Sequence, residues 1–286
     1  MIRTLTREDF DALHAAFLAA FSDYVVKFAL THEQLAEMLT RRGWVPGLSV
    51  GAFEDGSLVA FTLNCVEGDR AYDTGTGVIP THRRRGLARE LMERSFELLG
   101  DRCSTYVLEV LEPNAKAVEL YRATGFEVVR TFQCWSYESS SRRVDESSSG
   151  IPRRLDDSTT GRLPFDVEPS WQNSNASIAR AKAPRVILGD ENGYAIVFPD
   201  RGDLAQLVVH GDARRRGLGA QLLEAAAQAA GKPLAILNVD ESDAGIAAFL
   251  ERAGAKRTVR QLEMVRALQP RDGTAHGPRE HTRSRR

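Results

Sequence analysis

The chain has few cysteines, no long apolar run and no strong excess of one charge. Among its 286 residues are three cysteines, Cys65, Cys103 and Cys134, an odd number at wide spacings that fits neither a disulfide framework nor a zinc cluster. We therefore expect three reduced core residues and no metal site. The formal net charge is −1, and the positive excess of the second half lies mostly near the C-terminus, so charge does not indicate a folded nucleic-acid surface.

No stretch approaches the roughly 20 apolar residues of a membrane-spanning helix, and the N-terminal residues lack the apolar core of a signal peptide. We therefore expect a cytoplasmic protein without membrane contact. A hydrophobic fraction of 42% and a charged fraction of 27% are typical of soluble globular proteins, and the length fits two domains of ordinary size.

Residues 1–138 alternate helix and strand signals. Thr31 with Gln34 is typical of a helix N-terminus, and apolar residues recur at helical spacing before this pair, after it and from Leu87 onward. Alternating or continuous apolar runs predict strands at 48–53, 58–66, 72–79 and 103–111, with a hairpin turn between the first two.

The composition changes abruptly after this region. Residues 139–168 are rich in serine and arginine, and we expect a linker there. Compact structure is predicted again over residues 169–268, with strands at 185–189, 194–198, 204–210 and 234–239. Residues 269–286 consist largely of Pro, Gly, His and Arg and are expected to be disordered.

One motif occurs in both halves, within the same order of elements. Residues 78–92 and 209–223 each join a strand end, an Arg-Arg-Arg-Gly turn and an amphipathic helix. Because the three features recur together, the simplest explanation is two homologous domains.

The turn before Leu87 has the chemistry of an anion site. The first turn of a helix carries unpaired N–H groups and the positive end of the helix dipole. Gly86 and Ala88 would let a bulky diphosphate approach the backbone, and the arginines add long-range attraction. A solvated helix start is the plain alternative. Nucleic acid is another candidate anion, which the acidic balance of residues 1–138 and the lack of interleaved aromatic residues disfavour.

In these residues the sequence resembles the GNAT acetyltransferases. Val78, Pro80 and the run Arg83-x-x-Gly86-x-Ala88 resemble the acetyl-CoA pyrophosphate motif of that family, Q/R-x-x-G-x-G/A. The resemblance covers essentially all of residues 1–138. The family's second signature, a strand followed by a helix and Gly-Phe, is matched by Leu108-Glu109-Val110, Asn114, Ala117, Leu120-Tyr121 and Gly125-Phe126.

The resemblance implies an α/β (α+β) fold with two GNAT domains, each a mixed, mostly antiparallel sheet flanked by helices and splayed at the CoA cleft. It also implies acetyl-CoA as cosubstrate, with the strand backbone at Val78 and Ile79 pairing with the pantetheine arm. Asn114 is implied as a further cofactor contact. The residues implied to surround the diphosphate are Arg83, Arg84, Arg85, Gly86, Leu87 and Ala88.

Acyl transfer to an amine needs a base for the ammonium, a donor for the tetrahedral oxygen and a proton for the leaving thiolate. Glu109 and Tyr121 resemble the base and acid of the ribosomal-protein N-terminal acetyltransferases. Two alternatives stay open, namely a structural or water-organising Glu109 and a core Tyr121. Asp73 and Thr76 on the preceding strand are alternative bases or substrate contacts, and the glycines beside them predict a bulge.

Aromatic residues lie between the first two predicted helices, where the family shapes its acceptor pocket. We expect Phe21 and Tyr24 to contact the acceptor, and Phe28 lies in the same segment. A plain core role fits these side chains equally well.

The second copy lacks both proposed proton-transfer groups. Asn238 stands where Glu109 would, and Leu250 stands where Tyr121 would. The Arg-Arg-Arg-Gly turn is intact in this copy, so we expect a degenerate domain in which CoA binding can survive without turnover.

The expected function is an N-acyltransferase that moves an acetyl or related acyl group from CoA to a primary amine. The acceptor is a small molecule or a peptide N-terminus, and nucleic acid and membranes are not expected partners. Two alternatives stay open: a CoA-binding regulatory or scaffold protein without turnover, and a protein N-terminal acetyltransferase. The oligomeric state, monomer or dimer, is equally open.

Overall fold

The computed structural model describes residues 1–23, 29–139, 152–157, 161 and 163–270. The first half contains β1 (Ile2–Thr4), α1 (Phe10–Ala20), α2 (His32–Arg42), β2 (Val50–Glu54), β3 (Ser57–Glu67), β4 (Arg70–Val78), α3 (Leu87–Leu99), β5 (Thr105–Leu111), α4 (Ala115–Ala123) and β6 (Glu127–Tyr137). The second half contains β7 (Arg153–Arg154), α5 (Asn175–Arg180), β8 (Val186–Asp190), β9 (Gly193–Phe198), β10 (Asp203–Val209), α6 (Leu218–Ala230), β11 (Leu234–Asp240), α7 (Ala244–Arg252) and β12 (Lys256–Ala267).

The described strands form one continuous sheet in the order β1-β2-β3-β4-β5-β12-β6-β11-β10-β9-β8-β7. Its parallel pairs are β4 with β5 and β10 with β11, and the other neighbours described are antiparallel. This mixed, mostly antiparallel sheet is the predicted fold. The predicted helices and strands are present in the predicted order, whereas β1, β6, β7, β12 and the short α5 were not predicted from the sequence.

The two halves exchange their last strands. β12 of the second half lies between β5 and β6 of the first half, and β6 in turn pairs with β11. The β5–β12 ladder runs without a register shift from Gln261↔Leu111 to Ala267↔Thr105. Each half therefore completes the sheet of the other, an arrangement that the sequence did not predict.

Local sequence signals account for the elements beside the cleft. The capping box predicted at Thr31 and Gln34 is present, with the Thr31 side chain accepting from the Gln34 N–H and the Gln34 side chain accepting from the Thr31 N–H. The predicted hairpin between β2 and β3 turns at Asp55 and Gly56, whose φ angles are 49° and 78°. Asp and Gly tolerate these left-handed conformations, so the turn is set by its own two residues.

Helices cover both faces of the sheet. In the first half, α1 and α2 pack on one face against Phe61 and Leu63, while α3 and α4 pack on the other against Tyr106 and Leu108. The second half repeats this layering, with α6 and α7 on one face and the short α5 on the other. The functional side chains of the first half are therefore divided between an α1/α2 face and an α3/α4 face.

Part of the predicted linker belongs to the compact second half. β7 pairs with β8 at its edge, and the Leu155, Leu163 and Phe165 side chains pack against the cluster that contains Tyr194. Compact structure therefore begins before Ser170, the position expected from the sequence. Residues 140–151 and the predicted tail from residue 271 onward lie outside the described residues.

Cleavage of the chain within residues 140–151 is expected to leave the two halves associated. Separation would require β6 and β12 to leave buried ladders and expose unpaired backbone groups, which is costly. A specific protease site inserted in this segment, followed by size-exclusion chromatography with light scattering, measures the outcome. We expect both fragments to elute together at the mass of the intact chain and to separate in denaturant. Separate elution under native conditions would contradict the exchange.

Candidate active site

A cleft opens where β4 and β5 part. The two strands pair in parallel over four residue pairs that end at Asp73↔Leu108, yet β4 continues to Val78 and β5 to Leu111. Among the described strands, none therefore pairs with the backbone of residues 74–78 on its β5 side, which leaves these backbone groups available to an extended ligand. The splayed sheet predicted from the sequence is present.

β4 contains the bulge that its glycines predict. Its register with β3 shifts so that Leu63 faces Gly75 while Asn64 faces Asp73, which leaves Thr74 as the extra residue. A bulge changes the direction in which side chains leave the sheet. Thr74 is thereby placed next to the end of α2, where its hydroxyl has a hydrogen-bond donor.

The turn between β4 and α3 has the backbone geometry of an anion nest. Arg84 and Gly86 are left-handed, with φ of 65° and 80°, while Arg83 is extended with φ −66° and ψ 161°. Successive N–H groups in such a turn point into one concavity. Because α3 begins directly afterwards at Leu87, the positive end of its dipole acts on the same site. A Cβ on Gly86 would meet no atom within 4 Å, so the glycine serves the backbone conformation.

Arginine side chains brace this turn against neighbouring elements. Arg83 pairs with Asp23 at 2.5 and 2.7 Å and donates to the Ala20 carbonyl. Arg85 contacts the Glu54 carboxylate at 3.1 Å. These side-chain contacts hold the turn in place, and binding of a diphosphate by its backbone N–H groups stays a prediction.

The second half carries a nest of the same shape between β10 and α6. Arg215 and Gly217 are left-handed, with φ of 61° and 91°. Arg214 Nε donates to the Val209 carbonyl at 2.9 Å, and the corresponding contact in the first turn measures 3.2 Å. The repeated motif therefore has the same backbone form in both halves.

Glu109 lies on β5 directly after the last paired residue of the cleft. Its Oε2 accepts a hydrogen bond of 2.6 Å from Asn238 Nδ2 on β11, which belongs to the second half. The residue keeps some accessible surface, but its Oε1 atom is buried and makes no hydrogen bond of normal geometry with the described residues. Glu263 of β12 is its partner in the ladder. Two strands of the second half therefore contribute to its surroundings.

Burial raises the pKa of Glu109 to about 7. Loss of hydration is the largest cause, since it disfavours the charged form. The nearby Arg42 guanidinium acts in the opposite direction, whereas the Glu263 carboxylate raises the pKa further. Hydrogen bonding by Asn238 and Tyr72 favours the ionised form. A carboxyl group with a pKa near neutral is suited to accept a proton at neutral pH.

A segment of the second half closes the sheet face beside this carboxylate. Trp171 stacks on Tyr72 with ring centroids 5.0 Å apart, and its Nε1 donates to the Arg42 carbonyl. The Arg42 guanidinium donates to Gln172 Oε1 at 2.6 Å and to Thr74 Oγ1 at 3.0 Å. Arg42 is thereby fixed in the position from which its charge favours an ionised carboxylate.

The buried Asp73 and the half-buried Thr76 form a hydrogen-bonded pair on the other face of the sheet. The Asp73 carboxylate accepts from the Gly75 N–H at 2.8 Å and from the Thr76 hydroxyl at 2.7 Å. The same hydroxyl lies 3.7 Å from the Met92 sulfur of α3, which places the pair on the α3/α4 face. Burial raises the pKa of Asp73 to about 6, against the effect of both hydrogen bonds. A substrate contact by this pair stays a prediction.

Tyr121 lies on the α3/α4 face as well. Its ring packs in the cluster that contains Leu108, with its centroid 5.9 Å from that of Phe126. Glu109 instead belongs to the face that carries Tyr72. The sequence spacing therefore does not bring the two side chains to one face of β5, and their joint action as base and acid stays a prediction.

The other predicted cofactor contacts lie around the cleft. Val78 ends β4, and the Ile79 N–H donates to the Val59 carbonyl at 3.0 Å. Leu87 and Ala88 form the start of α3. Asn114 is the N-cap of α4, and its side chain accepts from the Ala117 N–H at 3.4 Å.

Of the predicted acceptor residues, Phe21 is half-buried next to α1. Its ring lies 4.7 Å from Phe17 and 6.4 Å from Phe61, measured between centroids. Phe21 is thus part of an aromatic cluster. Tyr24 and Phe28 lie outside the described residues.

Sequence reasoning missed most of the residues that surround Glu109. Arg42, Trp171 and Gln172 carry no motif, and they meet only because the second half packs on α2. Asn238 did carry a signal, since the repeat places it at the position of Glu109. That signal indicated a lost carboxylate and did not indicate a contact between the two residues.

Comparison with known proteins agrees with this geometry. The model of the acetyltransferase (GNAT) family matches residues 11–126 and 162–255. The chain belongs to the GNAT acetyltransferase family. The two matches fall on the two halves, as the repeat predicts. In the part of this GNAT chain that the structure describes, no helix is both long and apolar enough to cross a membrane.

Several relatives resemble this GNAT chain. The ribosomal protein bS18-alanine N-acetyltransferase of Escherichia coli K12 is 32% identical over 100 residues, which are 35% of this chain and 67% of that protein. A GCN5-related N-acetyltransferase from Sphaerobacter thermophilus has a TM-score of 0.71 and 18% identity, over 94% of this chain and 96% of that one. A tandem GNAT protein from the clavulanic acid biosynthesis pathway has a TM-score of 0.64 and 16% identity, over 95% and 99%. The structural likenesses show a shared tandem fold.

Replacing Asp73 by Asn is expected to change how stability depends on pH. The folded pKa of about 6 lies above the ordinary aspartate pKa of 3.8, so the folded state binds more protons between these values and wild-type stability falls as pH rises through this window. Relative to Asp73→Asn, the wild type should lose about 2 kcal/mol between pH 4 and pH 7, an order-of-magnitude figure from about 1.4 kcal/mol per pKa unit. Urea denaturation across this range measures the difference.

The same substitution at Asp55, an exposed residue of the β2–β3 turn, controls for the loss of one carboxylate. Parallel stability curves for the wild type and Asp73→Asn would contradict the assignment of a raised pKa to Asp73.

Proposed function

We propose that this protein is an acetyl-CoA-dependent N-acyltransferase that transfers an acetyl or related acyl group to a primary amine at the first-half cleft. The observation that carries the proposal is the Glu109 carboxyl group, buried where the β4–β5 ladder ends and with a pKa raised to about 7. The anion nest at residues 83–88 lies at the other end of the same cleft. A base and a diphosphate site on one cleft are what this reaction requires.

In this proposal the cosubstrate binds along β4. The diphosphate meets the N–H groups of the nest, and the pantetheine arm pairs with the unpaired backbone of residues 74–78. The thioester then lies near the point where the strands part, next to Glu109. Family membership and the matching motif support this orientation.

The proposed reaction uses Glu109 and Tyr121 as its two proton-transfer groups. Glu109 accepts a proton from the substrate ammonium, and the freed amine attacks the thioester carbonyl to form the C–N bond. The tetrahedral intermediate then collapses as the C–S bond breaks, and the thiolate leaves as CoA. The nitrogen gives up its second proton in this step, which balances the proton that the thiolate takes up. The resemblance assigns Tyr121 as the acid that protonates this thiolate.

A peptide N-terminus is the second candidate acceptor. The 32% identity to an enzyme named for N-acetylation of the bS18 alanine favours it. Arg42 and Trp171 cover the sheet face beside Glu109. We therefore expect the acceptor to present its amine end first, whether it is a peptide or a small molecule.

The matched variants Gly86→Ala and Gly217→Ala test which half turns over acetyl-CoA. Both glycines are left-handed and have no atom within 4 Å of an added Cβ, so both substitutions strain the backbone alike, by about 1 kcal/mol. Thiol release from acetyl-CoA is followed with a panel of small amines and N-terminal peptides. We expect Gly86→Ala to raise the KM for acetyl-CoA roughly tenfold by distorting the nest, and Gly217→Ala to leave turnover unchanged.

Loss of activity only in Gly217→Ala would contradict the proposal and assign acyl transfer to the cleft of the second half. Tight CoA binding by the wild type without thiol release from any amine would overturn the enzyme and favour a CoA-binding scaffold.

Turnover should depend on an ionised Glu109. Because a base acts only when deprotonated, kcat/KM is expected to fall tenfold per pH unit below about 7 and to level off above it. Glu109→Gln should reduce kcat by roughly 10²–10⁴-fold while leaving CoA binding intact, as measured by calorimetry. An unchanged pH profile in Glu109→Gln would assign the base to another group.

A further inference from the structure

Asn238 has an unusual backbone position on β11. The ladder between β11 and β6 shifts its register between Ile236 and Val239, which marks a bulge at residues 237–238. Asn238 is left-handed there, with φ of 58°. Asparagine tolerates this conformation better than most residues. The matching stretch of β5 shows no shift in its ladder with β12, so the bulge distinguishes the second copy from the first.

The Asn238 side chain is fixed at both ends. Its Nδ2 donates to Glu109 Oε2 at 2.6 Å, and its Oδ1 accepts from Gln261 Nε2 at 2.9 Å. The carboxylate requires a donor and the Gln261 amide requires an acceptor, so only one orientation of the Asn238 amide satisfies both. Asn238 is only 6% exposed. It therefore makes a buried, directional contact with the carboxylate.

This contact supplies a neutral donor among charged neighbours. A carboxylate at position 238, at the same distance, would face Glu109 with a like charge and make the pair share a proton. The amide instead favours the ionised form of Glu109. The charged and titratable groups that face Glu109 from the surrounding elements are Arg42 of α2, Tyr72 of β4, Glu263 of β12, and Arg130 and Cys134 of β6.

We infer that Asn238, supplied by the second half, is a positioning residue that holds Oε2 of Glu109 and favours the ionised carboxylate, which accepts the proton of the acceptor amine. The inference rests on the proposed function, because it assigns Glu109 as the base. It gives the second half a part in the chemistry of the first cleft. Position 238, where the second copy has asparagine in place of the glutamate of the first copy, is therefore the position that holds the Glu109 carboxylate.

Two variants preserve the left-handed backbone at this site. Asn238→Asp keeps the shape but replaces the donor by a second carboxylate, and Asn238→Gly removes the side chain. Asn192→Asp, an exposed turn residue between β8 and β9, is the matched control for the chemical change. Cooperative thermal unfolding of each variant shows that it is folded.

The Glu109 titration is measured directly by carbon-13 NMR of carboxyl-labelled glutamate in the full chain, with Glu109→Gln to assign the resonance. We expect the midpoint to move up by about one pH unit or more in both position-238 variants, because the ionised form loses its donor, and to stay in place in Asn192→Asp. The acid limb of kcat/KM should move by the same amount, which is about a tenfold loss of kcat/KM at pH values below the midpoint.

The outcomes separate this inference from the proposed function. Unchanged midpoints in both position-238 variants would overturn the positioning role, even if the wild type releases CoA and the proposed function stands. A shifted midpoint in a protein that releases no thiol with any amine would support the hold on the carboxylate and overturn the proposed function. A loss of kcat/KM that is equal at all pH values would overturn the inference, because a merely structural role predicts it.

Discussion

Strand β6 of the first half pairs with β11 of the second, and β12 of the second half pairs with β5 of the first. The other contacts between the two halves depend on this exchange. Backbone groups buried in a sheet need partners, and the edge of β5 finds them on a strand that begins about 145 residues later in the chain. This exchange brings β11 and the segment at Trp171 against the first half. Contacts such as the 2.5 Å ion pair between Arg41 and Asp203 follow from the same packing.

The two clefts have similar backbone conformations but different side chains. Both have a splayed parallel pair and a nest with left-handed residues at the same two positions. The first has Glu109 on β5, whereas the second has Asn238 at the matching position of β11. Burial of this Glu109 depends on the second half, since β12 and Asn238 lie beside it. The electrostatics of one cleft are therefore a property of the whole chain.

Features that depend on neighbouring residues were predictable from the sequence. The capping box at Thr31, the turn at Gly56 and the bulge near Gly75 each follow from a few adjacent side chains, and so does the nest at Gly86. The family motif supplied the splayed sheet.

Features that depend on distant pairing were not predictable. No local sequence pattern predicts that β12 pairs with β5. Arg42 and Gln172, which form a hydrogen bond, are 130 positions apart in the sequence. The raised pKa of Glu109 is one of these unpredictable features, because it results from burial by the other half.

In a homodimer of single domains, both copies of a position carry the same residue. A glutamate at this contact could therefore meet only another glutamate. Covalent fusion removes that restriction, and the unlike side chains at positions 109 and 238 are a pairing that only an asymmetric molecule can have.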